Sequence, residues 1–279
     1  MLNLHQTEKR LGYMTKNNGP KILLFDVETA PMLAYVWSLW QDNVGLEMVK
    51  HDWFILSWAA KWLDDKKVMY HDQSKAKNME DDKELMKKLW KLLDEADIVI
   101  TQNGIKFDHK KVNARFIIHG MKPPSPYKMV DTLVMAKKNF AFTSNKLEYL
   151  SNNLNKKYTK LTKGRKFHGF ELWKECLKGN KKAWAEMKKY NIRDVNALEE
   201  TFKVLAPWDV QFNRNLYSSN EKMICPNCGE EHYKRDGYHY TSSGKYQRYQ
   251  CLDCGSRFSG KENLLTKDKR KNVPRIKNT

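Results

Sequence analysis

The apolar positions of this chain fall in short, punctuated bursts. Ile22-Leu23-Leu24-Phe25 lies between Pro20 and Pro31 and runs into Asp26-Val27-Glu28-Thr29. A run this short, bounded by prolines, predicts a buried strand. Residues 54–62 and 67–71 predict two more strands. The charged turn Asp64-Asp65-Lys66 between them predicts a hairpin, although the glycine common in such turns is absent. Residues 81–95 place Leu85, Leu89, Leu92 and Leu93 at helical spacing, with acids near the start. A strand is expected at 97–101, a helix at 110–119 stopped by Gly120, a strand passing into a helix at 129–134, and a helix at 145–154. The longest helical pattern runs from Lys181 to Leu205 and is ended by Pro207. This order predicts an α/β domain with a mixed sheet.

Between these elements the composition shifts. Residues 1–19 are polar and read as a leader. An aromatic-rich insertion through Trp37, Trp40 and Trp53 follows Pro31, and residues 156–170 form a basic loop. The domain boundaries expected are 20–208 for the α/β domain, 209–221 for a polar linker, 222–260 for a cysteine-bearing module and 261–279 for a basic tail.

The 279 residues include 51 Lys and Arg against 33 Asp and Glu, a net charge of +18. Such an excess suits a polyanionic partner, most often nucleic acid. The competing reading is that the lysines only solvate helix faces. No apolar stretch approaches a membrane span, and residues 1–20 lack the apolar core of a secretory signal. The expected location is therefore the cytoplasm, with no membrane partner.

The acids carry the chemistry. Alternation along the first strand places Asp26 and Glu28 on one face. Asp108 follows the strand at 97–101, and Tyr190 and Asp194 stand at i and i+4 on the last long helix, sharing one side of it. Four carboxylates converging from two strand ends and a helix can hold two divalent cations, and hard oxygen ligands suit Mg²⁺ or Mn²⁺. Two such ions can activate water and stabilise a leaving oxygen in phosphodiester cleavage, with Tyr190 positioning the water. This reading makes the chain a nuclease.

Three motifs carry a resemblance: Phe25-Asp26-Val27-Glu28-Thr29, Asn103-Gly104-Ile105-Lys106-Phe107-Asp108 and Tyr190-Asn191-Ile192-Arg193-Asp194. Together, over about residues 20–208, the chain resembles the DEDD exonucleases of the tyrosine subclass, related to the proofreading domain of family-B DNA polymerases. Lys189 stands where the histidine subclass would have its histidine. The resemblance implies a ribonuclease H-like fold with a mixed five-stranded sheet, and 3'–5' exonuclease activity with DNA preferred over RNA. It implies that Asp26 bridges two metals, that Glu28 and Asp194 complete the site of the water-activating one, and that Asp108 supports the other. Glu28 also meets the terminal 3'-hydroxyl in this scheme, and Tyr190 orients the nucleophile. Asn103 and Phe107 are expected to shape their loop, Asp131 to be a cap or core partner rather than an auxiliary acid, and Cys176 to lie in a helix core. The alternatives are a ribonuclease, or a nucleic-acid-binding protein whose nuclease domain is weakly active. Replication or repair proteins are candidate partners.

Cys225-Pro-Asn-Cys228-Gly229 and Cys251-Leu-Asp-Cys254-Gly255 repeat one plan. In a reducing compartment, paired knuckles of this spacing read as one structural Zn²⁺ site, closed by four thiolates. A module this small cannot bury a sufficient core, so bound metal must supply folding energy on the order of 10 kcal/mol. His232 and His239 are spare donors. The module resembles the zinc ribbons that follow this exonuclease domain in related proteins. Its tyrosines and arginines interleave in a way that can stack bases and track phosphates. The residues expected to contact nucleic acid are Thr29, Lys163, Arg165, Tyr246 and Arg248, while docking of a protein is the rival role for the ribbon.

Overall fold

The computed structural model describes residues 19–41, 43–159, 166–219 and 221–274. Most of the expected leader, and Lys163 and Arg165 in the basic loop, lie outside the described residues. Lys21–Val204 form one compact unit and the remainder of the chain another.

The first unit is built on β1 (Ile22–Thr29). On one side β4 (Ile55–Trp62) runs antiparallel to β1 and pairs antiparallel in turn with β5 (Met69–Asp72), whereas on the other side β6 (Ile98–Thr101) and β7 (Lys128–Asp131) run parallel to β1. The sheet order is β5-β4-β1-β6-β7. This is the mixed five-stranded sheet expected, and β1 is at its centre because Ile22, Leu23, Leu24 and Phe25 are apolar towards both faces. The β4–β5 turn manages without glycine because Asp64 takes the left-handed backbone (φ 67°), which aspartate tolerates better than most residues.

Helices cover both faces of this sheet. On one side, Phe25 and Val27 of β1 and Trp58 and Ala60 of β4 pack with α1 (Lys83–Glu95) and α2 (Asp108–Ile118) through Leu85, Leu89, Val112 and Phe116. On the other, Leu56 packs with α5 (Glu171–Leu177) and α6 (Lys181–Leu205) through Leu172, Cys176, Ala183 and Met187. Two shorter helices, α3 (Thr132–Asn139) and α4 (Leu147–Leu154), stand between β7 and α5 in the chain. The helix α2 starts at Asp108, two residues before the expected start. Gly120, with φ 69°, follows its end.

A bulge breaks the β1–β4 ladder beside the acids. Glu28 pairs with Ser57 but Thr29 pairs with Ile55, so Leu56 is an extra residue in β4. The aromatic insertion grows from this point. It contains a small ribbon of β2 (Leu33–Ala34) and β3 (Val49–His51), which the sequence pattern did not suggest. Its tip is tied by the Gln41 side chain, which accepts from Trp37 N (3.0 Å) and donates to Asn43 O (2.6 Å). Trp37, Leu39, Trp40 and Leu46 are each at least 90 % exposed there.

The second unit has a three-stranded antiparallel sheet of β8 (Tyr233–Tyr240), β9 (Lys245–Cys251) and β10 (Arg257–Asn263), ordered β10-β9-β8. The last strand passes residue 260 because Leu264 N still donates to Lys245 O (2.8 Å). Within the expected basic tail, Thr266 caps the short helix α7 (Lys267–Lys271), whose basic last turn suits the negative end of the helix dipole. Part of the expected linker is fastened down as well. Arg214 N donates to Pro226 O (3.0 Å) and Arg214 Nε to Asn227 O (2.7 Å), which holds the turn at Arg214–Leu216 against the first knuckle. Among the described residues no helix is long and apolar enough to cross a membrane.

One buried ion pair ties α6 to the sheet. Lys61 on β4 meets Glu199 and also Asn196 Oδ1 (3.3 Å), while Glu199 accepts from Asp64 N (3.0 Å). Both side chains are less than a tenth exposed. Glu199→Ala leaves the ammonium buried and unpaired, so urea unfolding should report a loss of about 3 kcal/mol. A loss below about 1 kcal/mol would show that water reaches Lys61.

Candidate active site and metal centres

Pairing decides which way the acids of β1 point. Residues directly opposite in a ladder share a face, so Asp26 stands beside Ala59 and Glu28 beside Ser57, small neighbours that leave room above the sheet. Val27 points the other way, into the core. Helix α6 brings Asp194 to the same place, so that one oxygen from each of Asp26, Glu28 and Asp194 lies within 4.8 Å of the others. All three side chains are partly buried.

The fourth acid sits differently. Asp108 is buried at the first turn of α2, and its Oδ1 accepts from Val27 N at 3.1 Å. It thus takes the strand's hydrogen bond where the β6 ladder, last paired at Leu24, has ended. It is not part of the three-carboxylate cluster, yet its charge still raises the pKa of Asp26.

These groups work against one another electrostatically. Burial first, then Glu28, Asp108 and Asp194, hold the Asp26 carboxyl well above the ordinary carboxylate range. Burial also pushes Asp108 up to about 7, against the lowering effect of the Val27 amide. Opposing this at Asp26 is one side-chain amide: Asn191 Nδ2 donates to Oδ2 at 2.6 Å. Tyr190 is held protonated, by burial first and then by the neighbouring Asp194, Glu28 and Asp26. The ring lies edge-on to Trp173. Oxygen donors gathered at this spacing, with their charges unbalanced, fit hard divalent cations.

The loop before α2 is shaped by its own residues. Asp131 caps α3 through Leu133 N (2.9 Å) and also accepts from Asn103 N (2.8 Å) and Ile105 N (3.2 Å). Asn103 adopts φ 63°, and a Cβ on Gly104 would come within 2.2 Å of Thr101 Oγ1, so this turn needs glycine. Phe107 immediately precedes α2, and its ring lies 5.9 Å from Lys111 Nζ. His109 engages Tyr127 and Asn113 (3.1 Å each), away from the acids in its bonding. Cys176 is fully buried, and burial pushes its thiol up to about 12.

The second cluster is Cys225, Cys228, Cys251 and Cys254. The two knuckles repeat in hydrogen bonds as well as in sequence. Gly229 N donates to Cys225 O and Gly255 N to Cys251 O, and both glycines have the positive φ that this turn requires. The Sγ atoms of Cys225 and Cys254 are 3.6 Å apart, as are those of Cys228 and Cys251. Tetrahedral zinc with Zn–S bonds near 2.3 Å sets sulfurs about 3.8 Å apart, so the four thiols fit that ion closely. A hydrogen bond from Cys228 pulls Cys225 down to about 5 and pushes Cys228 itself up. His232 is paired with Asp253 and His239 faces Tyr246; neither belongs to the cluster.

On the ribbon, Tyr233, Tyr249 and Phe258 pack on one another. Arg248 is engaged, donating to Asp236 O (2.7 Å) and pairing with its carboxylate, and Tyr246 lies over Gly244 beside His239. Exposed aromatic surface comes from Tyr238 and Tyr240, with Lys245 Nζ 3.8 Å from the Tyr238 ring centroid. Lys245 drew no attention in the sequence, because the register that sets it beside Tyr240 is a property of the hairpin. Ser57 and Asn191 were missed for a related reason: partners 134 residues apart leave no local pattern. Thr29 ends β1, half-buried.

Two outcomes follow from these electrostatics. An acid whose folded pKa is raised costs stability increasingly as pH climbs from its unfolded value near 3.8. In chelator at pH 8, Asp26→Asn should therefore melt higher than the unchanged protein, by ~2–4 °C for each kcal/mol relieved. The difference should fade towards pH 4, and a variant that melts lower at pH 8 would contradict the repulsion. Should the four thiols hold an ion, a chelator or Cys251→Ser would abolish protection of β8–β10 amides in hydrogen exchange while β1 and β6 keep theirs.

Comparison with known proteins bears on the first unit. A family model described as the RNase H superfamily matches residues 45–206, a span that includes Asp108, Tyr190 and Asp194 and begins after the acids of β1. The solved structure of the family B DNA polymerase from the hyperthermophilic archaeon Pyrobaculum calidifontis is similar at 15 % identity, with a TM-score of 0.48. That similarity covers 68 % of this chain and 25 % of the polymerase chain. No curated protein matches. The family model spans more than half of the 279 residues, and the chain belongs to the RNase H superfamily.

Proposed function

We propose that this protein is a metal-dependent 3'–5' exonuclease that hydrolyses phosphodiester bonds of nucleic acid, with DNA preferred. The observation that carries the reading is the gathering of Asp26, Glu28 and Asp194 on one side of the central strand, with Tyr190 beside them. The 3'–5' polarity and the preference for DNA rest on the resemblance of the three motifs to the tyrosine-subclass exonucleases. The net charge of +18 suits the polyanion.

Asp26, Glu28 and Asp194 would hold Mg²⁺ or Mn²⁺, with Asp108 in support. The cations would supply the positive charge that water activation and a developing leaving oxygen need. The chain's own part is positioning. Because the Tyr190 phenol is kept protonated, it acts as a neutral hydrogen-bonding group and is unsuited to be the general base. It would align the attacking water against the scissile phosphate, a role whose loss typically costs about 10²-fold. Asp108, by holding the amide between Asp26 and Glu28, fixes the pitch of the strand that carries both. One Zn²⁺ in the four-cysteine cluster would be structural, and the Tyr238, Tyr240 and Lys245 surface would meet the nucleic acid. Paired knuckles of free thiols suit a reducing cytoplasm.

End-labelled DNA and RNA oligonucleotides with Mg²⁺ or Mn²⁺ test the reading. Stepwise loss from the 3' end is expected, faster on DNA. Asp26→Ala and Asp194→Ala should abolish it while filter binding of the oligonucleotide survives, and Tyr190→Phe should slow single turnover about 10²-fold. Internal nicks, or shortening from the 5' end, would refute the exonuclease assignment. Faster loss from RNA would make the protein a ribonuclease.

A further inference from the structure

Asn191 lies inside the third motif but is neither the tyrosine nor the acid. Its side chain is fully buried on α6 and makes two long-range bonds. Nδ2 donates to Asp26 Oδ2 at 2.6 Å, with a longer approach to the Asp26 carbonyl (3.4 Å), and Oδ1 accepts from Ser57 Oγ at 3.2 Å. Ser57 is itself fully buried on β4, opposite Glu28.

The chemistry fixes which way round the amide sits. A carboxylate that ligates a cation is ionised and can only accept, so it takes the NH₂ end, and the serine hydroxyl, able to donate, takes the carbonyl end. A flipped amide would set oxygen against oxygen at Asp26. Ser57 thereby keys the orientation of Asn191, and Asn191 keys that of Asp26. The amide fixes the plane of the Asp26 carboxylate through Oδ2, and one oxygen of that carboxylate lies within 4.8 Å of oxygens of Glu28 and Asp194. Asp26 is a carboxylate repelled by three others, and a lone ligand under such forces would turn away.

We propose that Asn191, oriented by Ser57, is a positioning residue that holds the Asp26 carboxylate in the attitude a divalent cation needs. This rests on the reading of Asp26 as a cation ligand. Hydrogen bonds to metal-ligating carboxylates typically govern affinity by 10–100-fold.

The test is Mn²⁺ binding to full-length, zinc-loaded protein, followed by calorimetry and by the electron-spin resonance of free Mn²⁺. Asn191→Ala should weaken Mn²⁺ binding by about 10-fold, and Ser57→Ala should weaken it less but in the same direction. Introduced into Asp26→Asn, the Asn191→Ala change should add nothing, because its effect passes through that carboxylate. With oligonucleotide and saturating Mn²⁺, kcat should fall and KM hold. Mn²⁺ affinity of a folded Asn191→Ala within about twofold of wild type would overturn the inference. So would an equal loss in the Asp26→Asn background, which would mark Asn191 as packing. Should Asn191→Ala fail to fold, wild-type affinity in Ser57→Ala would overturn it alone. If wild type and Asp26→Asn bind Mn²⁺ alike, Asp26 is no ligand and the inference falls with it. If the Asn191 effect appears while oligonucleotides stay intact, hydrolysis is refuted and the positioning role stands.

Discussion

Like charges held close in a partly dry place repel one another, and much of the first unit is arranged to bear that repulsion at one end of β1. Burial removes the water that would screen Asp26, Glu28, Asp108 and Asp194, and each then works against the ionisation of Asp26. A fold organised only for stability would place an amide or an alkyl group at some of these positions. Here the acids are gathered, and their surroundings restrain them: the Val27 amide holds Asp108, Asn191 holds Asp26, and Tyr190 lies beside Asp194. The repulsion is therefore restrained by these hydrogen bonds rather than dispersed, an arrangement compatible with a divalent cation.

Helix α6 carries most of that restraint. Over one stretch it presents Tyr190, Asn191, Asp194, Asn196 and Glu199 towards the sheet or the acids, so its rotation and height govern the site. Apolar packing at Ala183 and Met187 seats its first half, and the Lys61–Glu199 pair seats the second. A buried ion pair is weak as a source of stability but strict about geometry, because either charge left alone is costly. Its placement one turn beyond Asp194 suits a role in registration.

The parts legible in the sequence were those with a local signature. Residues 181–205 form one unbroken helical pattern and are one helix; β1, β4 and β6 are short apolar runs and are buried strands. The acids could be read because alternation on a strand and i, i+4 spacing on a helix are local rules. So could the cysteine knuckles, whose repeated plan reappears in their hydrogen bonds. What escaped was set by distant partners. The small ribbon in the aromatic insertion has strands of two and three residues, too short for any period to register. Asp108 proved to be a helix-start residue bonded to Val27 across 81 positions, and the amide of Asn191 bonds across 165. The polar stretch near Arg214 has no apolar pattern because its hold on the first knuckle runs through backbone carbonyls.

The bulge opposite Glu28 and Thr29 has an evolutionary consequence. Upstream of it, β1 cannot change length by a single residue, since a slip of one would carry Phe25 and Val27 out of the core and drive carboxylates into it. Downstream, the ladder has already absorbed an extra residue at Leu56, and spacing no longer propagates back to the acids. The chain can therefore lengthen or shorten just past Thr29 without moving the acids, and it is there that the exposed aromatic arm lies. A descendant of this fold could rewrite the twenty-odd residues of that arm alone and leave the acids of β1 unaltered.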